Sequence, residues 1–165
     1  MPETNYLYPE DKKECYHLLR EQLKALLEDE TYVIPNLSNA SALLGGALTQ
    51  INWVGFYLLH QEELLLGPFQ GKPACIHIAI GRGVCGTAVS QNMTQLVADV
   101  HSFPGHIACD SASRSEIVVP IHSDGRIVGV LDIDSPDIDR FDLIDKEELE
   151  KFVHILELGC NWSVY

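Results

Sequence analysis

The chain has no close Cys-x-x-Cys pair among its five cysteines, no long apolar run, and fewer than half as many basic as acidic residues. Each shortage removes a class of function. With 11 Lys and Arg against 24 Asp and Glu the formal charge is -13, which repels phosphate backbones and anionic lipid surfaces, so nucleic acid and membranes are poor partners. No apolar stretch approaches the ~20 residues that span a bilayer. Residues 1–8 lack the basic start and apolar run of a signal peptide, and the expected location is cytoplasmic. The cysteines do not form the dense, even-numbered framework of a small secreted domain. In a reducing compartment they are free thiols unless chemistry makes them otherwise.

What is present suits one compact unit. The length of 165 residues fits a single domain over 1–165, since one hydrophobic core commonly serves about 100 to 200 residues. Hydrophobic residues at 46% and charged residues at 21% supply enough apolar side chain to offset the entropy of ordering.

Cys15, Leu18, Leu19, Leu23, Leu26 and Leu27 recur at helical spacing, predicting an amphipathic helix over 10–28 that begins after Pro9. Ala40, Leu43, Leu44, Ala47 and Leu48 predict a second. Strands are expected at 52–59, 62–66, 75–80, 95–98, 116–121 and 126–134, with a short helix at 84–91 and a last helix carrying Leu149, Phe152, Val153 and Leu156. Ser123-Asp124-Gly125 reads as a hairpin turn. Residues 99–115 are mixed in polarity and without periodicity, and a loop of that length inside a small domain is usually functional. The expected fold is α+β: a largely antiparallel sheet of five or six strands, terminal helices covering one face, and inserted loops and a pocket on the other.

Strand alternation sets Trp53 and Tyr57 on one side. The same rule groups Asp132 and Asp134 with Val128 and Val130, and Glu116 with Val118, all opposite the Leu and Ile positions of the core side. Three carboxylates and two aromatics are thus expected to converge on a small ligand, with crowding and burial raising carboxyl pKa values until one acid stays protonated near neutrality. The competing reading leaves the acids solvated on an exposed strand face and the aromatics in the core.

Two cysteines stand in settings that activate a thiol. Cys85 lies in Gly81-Arg82-Gly83-Val84-Cys85-Gly86, at an expected helix start where backbone donors, the helix dipole and Arg82 would lower its pKa. Cys109 lies in the long loop beside His106, Asp110 and Arg114. Cys15 and Cys160, on or beside amphipathic helices, read as small hydrophobes. The glycine run also fits G-x-G-x-x-G, but antiparallel hairpins argue against a dinucleotide fold. The spacing of His101, His106 and Cys109, with Cys75 and His77, matches no common zinc pattern, so no metal ligand is assigned.

With these residues placed, the chain resembles the free methionine-(R)-sulfoxide reductases, a GAF-domain family. The likeness rests on residues 52–57 (NWVGFY), 67–71 (GPFQG), 83–86 (GVCG) and 130–135 (VLDIDS), and on cysteines at 75, 85 and 109. The resemblance implies a GAF-like fold and reduction of the free amino acid L-methionine-(R)-sulfoxide. By the same resemblance Cys109 is the attacking thiol, Cys75 the resolving thiol that forms a disulfide with it, and Cys85 an assisting thiol. Glu116, Asp132 and Asp134 hold the substrate, with Glu116 and Asp134 also helping to protonate its oxygen, and Trp53 and Tyr57 receive its methyl group. A thioredoxin-type protein is the implied external reductant, no cofactor is required, and a homodimer is expected. Two other readings use the same residues: a GAF-type sensor that binds a small molecule without chemistry, and a redox-sensing interaction protein.

Overall fold

The computed structural model describes residues 7–105 and 110–165. Two helices come first: α1, Lys12–Leu27, and α2, Val33–Ala47. The α1 N-terminus is closed by Asp11, whose side chain accepts from the Glu14 backbone N–H, satisfying one of the donors that a first turn leaves open. In α2, Pro35 falls within the first turn, where a missing N–H costs nothing.

The sheet is built from β1 (Trp53–His60), β2 (Glu63–Gly71), β3 (His77–Ala79), β4 (Gln95–Val97), β5 (Ser115–Ser123) and β6 (Arg126–Ser135). Its strand order is β3-β2-β1-β6-β5-β4, and every neighbouring pair is antiparallel. A short helix α3, Gly83–Gln91, lies between β3 and β4, a single 3-10 turn covers Val100–Ser102, and α4, Leu143–Gly159, follows the sheet. The β5–β6 hairpin closes on Asp124 and Gly125, both at positive φ, the pairing that a two-residue turn matched to strand twist demands.

Two apolar layers result. Leu19, Leu23, Leu37 and Leu44 of α1 and α2 join Phe152 and Leu156 of α4 against Phe56, Ile117, Leu131 and Ile133 of the sheet. On the other face Trp53, Tyr57, Val118 and Val130 pack with Val84, Cys85 and Ala88 of α3. The terminal helices therefore cover one face, as expected, while α3 and the loops cover the other. The α4 N-terminus carries a reciprocal capping box between Asp142 and Asp145. Asp145 also ties this helix to α1, accepting from Tyr16 Oη at 2.8 Å and pairing with Lys12 at 2.7 Å.

Strict alternation fails near the β5–β6 turn. The β5–β6 register shifts between Ile121 and His122, and a bulge reverses the side to which the following residues point. Val128, expected with Asp132 and Asp134, instead packs among the helix-side residues, and Ile127 lies against the pocket-side layer. The carboxylates keep their expected side because they lie beyond the bulge.

Candidate active site

Register alone brings the acids and aromatics together. On β6, Asp134 stands opposite Trp53 of β1 and Glu116 of β5, while Asp132 stands opposite Gly55 and Val118. Gly55 is required here. A Cβ on it would fall 2.3 Å from the Phe69 Cβ and 2.8 Å from Trp53 Cη2, so the missing side chain admits the aromatic stack. Trp53 lies 5.3 Å from Phe69 and 5.9 Å from Tyr57, centroid to centroid, with interplanar angles of 15° and 26°. Both ring systems are anchored at their polar ends. Trp53 Nε1 donates to the Lys72 carbonyl at 3.1 Å and Tyr57 Oη donates to the Cys75 carbonyl at 3.1 Å.

Trp53, Tyr57, Glu116, Asp132 and Asp134 line a recess of about 590 Å³ of space not filled by atoms, its opening included, together with Ile78, Cys85 and Ser113 and with Lys72, Arg82 and Asp110. Glu116 and Asp132 are each only 6% exposed. Burial first, and then repulsion from Asp132 and Asp134, holds the Glu116 carboxyl well above the usual range. Burial and Asp132 raise Asp134 as well, against a hydrogen bond to Ser113 that lowers it. Asp132 is pushed up to about 6 by burial, opposed by hydrogen bonds to Cys85 and Glu116. Both expected readings are thus partly right: Trp53 and Tyr57 are buried, but Glu116 and Asp132 are buried with them and Asp134 is half-buried, and crowded carboxyls of this kind retain protons near neutrality.

Cys85 requires a correction. It does enter α3, near the N-terminus, but its thiol pKa is raised well above the ordinary value by burial and by the charges of Asp132 and Glu116. Arg82 is exposed, and the nearby acids and desolvation outweigh the helix end. The glycine run shapes this corner: Gly83 has φ +61°, and a Cβ on Gly86 would meet the Ala79 carbonyl at 2.4 Å.

Cys75 flanks the recess half-buried and is disulfide-bonded, whereas Cys15, Cys85 and Cys160 are free and buried. Cys109 and His106 lie outside the described residues. Among the described residues no histidine joins a group of three ligating atoms; His77 pairs with Glu63 at 3.1 Å.

Sequence reasoning gave no role to Lys72 or Ser113. Lys72 pairs with Asp110 at 3.3 Å, and Asn52 donates to Asp110 at 3.3 Å and to Ser113 at 3.1 Å. These polar residues hold the start of the segment 110–114 against the pocket rim. Spacing carries no signal for such contacts, because they join residues more than 35 positions apart.

A GAF-domain model matches residues 36–158. The chain is 53% identical over 147 residues to the free methionine-R-sulfoxide reductase of Escherichia coli, covering 89% of this chain and 89% of that protein. Among solved structures, the fRMsr of Staphylococcus aureus in complex with substrate is 64% identical with a TM-score of 0.85, covering 88% of this chain and 95% of that one. The free methionine-R-sulfoxide reductase of Neisseria meningitidis in complex with its substrate is 45% identical with a TM-score of 0.91, covering 96% and 95%. On this likeness along most of its length, the chain belongs to the free methionine-R-sulfoxide reductase family of GAF-domain proteins.

Proposed function

We propose that this protein reduces free L-methionine-(R)-sulfoxide to L-methionine, with Cys109 as attacking thiol and Cys75 as resolving thiol. The observation that carries the reading is the convergence of three crowded carboxyls on a stacked aromatic wall near the disulfide-bonded Cys75. A sulfoxide oxygen is a poor leaving group until protonated, and a carboxyl that keeps its proton near neutrality can protonate it. Glu116 and Asp134 take that part, and with Asp132 they hold the amino acid. The apolar faces of Trp53 and Tyr57 suit an S-methyl group.

In the first step the Cys109 thiolate attacks the sulfoxide sulfur. The oxygen passes to the cysteine as a sulfenic acid and methionine leaves. In the second step the Cys75 thiol condenses with the sulfenic acid, forming a disulfide and releasing water. Exchange with an external dithiol of the thioredoxin type returns both thiols. That Cys75 is disulfide-bonded supports its part as the resolving thiol. Cys85 assists as a third thiol. The chemistry calls for no metal or organic cofactor, and we assign the protein to a reducing compartment, the cytoplasm, as a homodimer.

The test is a thioredoxin-coupled assay with separated epimers. Consumption of the R epimer of the free amino acid alone, abolished by Cys109→Ser, is expected. Full activity in Cys109→Ser overturns the assignment. Ligand binding without turnover, unchanged when Cys75, Cys85 and Cys109 are all replaced, establishes the sensor reading instead.

A further inference from the structure

In the recess the Cys85 sulfur and carboxyl oxygens of Glu116 and Asp132 face one another with no cationic side chain among them, held together by hydrogen bonds from Cys85 and Glu116 to Asp132. The Cys85 Sγ and an oxygen each from Glu116 and Asp132 lie within 4.8 Å of one another, and all three residues are buried. Asp132 Oδ1 is shielded from solvent and has no hydrogen-bond partner. A buried carboxylate oxygen without a donor costs free energy, and here it belongs to a residue that lines the recess. No Lys, Arg or His among the described residues is ion-paired with Glu116, Asp132 or Asp134. Lys72 and Arg82, which also line the recess, are exposed.

We propose that Cys85, Glu116 and Asp132 form a binding site for a thiophilic divalent cation, of which zinc(II) is the type, and that the bound ion competes with the sulfoxide substrate. The donor set decides the class. One thiolate with two carboxylates suits zinc, whereas magnesium and calcium prefer oxygen alone. Donors about 2.0 to 2.3 Å from a tetrahedral zinc stand roughly 3.3 to 3.8 Å apart, so the three atoms need only draw together by side-chain rotation. Three protein ligands leave a fourth position open toward the recess. On binding, the ion sheds water, the Cys85 thiol proton and the proton held on the Glu116 carboxyl pass to solvent, and a metal–sulfur and two metal–oxygen bonds form; no electron moves. The ion is an inhibitor and not a cofactor, because it occupies the acids and the assisting thiol that the proposed reaction uses. That part of the inference rests on the proposed function, whereas binding itself does not.

The test uses the disulfide form, in which Cys85 is the one free thiol among the residues described around the recess and no added reductant competes for metal. Cobalt(II) serves as the optical probe. Stoichiometric binding with a thiolate-to-cobalt charge-transfer band and tetrahedral visible bands, displaced by zinc(II), is expected. Cys85→Ser should abolish the charge-transfer band, and Asp132→Asn should weaken cobalt binding at least tenfold while circular dichroism shows the fold intact. Absence of the band in the parent, or its persistence in Cys85→Ser, overturns the site. In the reduced enzyme, zinc(II) should raise KM for methionine sulfoxide without changing kcat. Purely noncompetitive inhibition overturns competition at this pocket. Metal binding by a protein without reductase activity leaves the site standing and removes the proposed function.

Discussion

At the scale of the residue, the acid cluster sets stability against chemistry. The Asp132 carboxyl goes from an ordinary 3.8 to about 6 on folding, so the folded state holds its proton to higher pH than the unfolded chain does. The corresponding stability is present below about pH 4, is lost as pH rises through about 6, and stays lost above. Asp132→Asn should therefore raise the unfolding temperature at about pH 7.5, by a gain of up to about 3 kcal/mol, and leave it nearly unchanged at about pH 4, while turnover falls. Equal unfolding temperatures for variant and parent at both pH values would contradict the burial argument. Cys85 belongs to the same environment. With its thiol held protonated by burial and nearby acids, its alkylation in the native protein at about pH 8 should be at least ~10-fold slower than that of a free cysteine. Peptide mapping after timed labelling measures it, and a rate equal to that of the unfolded chain counts against the assignment.

At the scale of the element, two contacts separate folding from catalysis. Tyr16 on α1 donates to the fully buried Asp145 at the start of α4. Tyr16→Phe leaves that acceptor short of a donor, which costs about 1 to 3 kcal/mol. Denaturant unfolding should show the loss with kcat unchanged, because both residues sit on the helix side of the sheet. Lys72 and Asp110 give the opposite pattern. Theirs is a rim pair with an exposed lysine, worth little to stability, but it steadies the segment that follows Cys109. Lys72→Met should shift the unfolding free energy by less than ~0.5 kcal/mol and raise KM several-fold. An unchanged KM would deny the rim a part in substrate binding.

At the scale of the whole molecule, the sheet divides the labour: helices α1, α2 and α4 bury one face for stability, and the other face holds the acids and aromatics. Much of this was legible from alternation and helical periodicity, because one face of each strand is core and the other is not. Trp53, Tyr57, Glu116, Asp132 and Asp134 fall on the expected side for that reason. Val128 does not, since a bulge cannot be seen in the pattern of a regular strand. The glycine run sets Cys85 at a helix start, as found, but its ionisation is not legible there, because acids from two strands, β5 and β6, must assemble against α3 before they meet it. The contacts of Lys72, Asn52 and Ser113 with Asp110 and its neighbours were invisible for the same cause.

The most direct test of the central claim is a single-turnover experiment. The protein is fully reduced, freed of reductant and mixed with free L-methionine-(R)-sulfoxide, and the products are mapped by mass spectrometry. One methionine released per chain and a new Cys75–Cys109 disulfide are expected, with Cys85 still a free thiol. Methionine release without that disulfide, or no release at all, would contradict the claim.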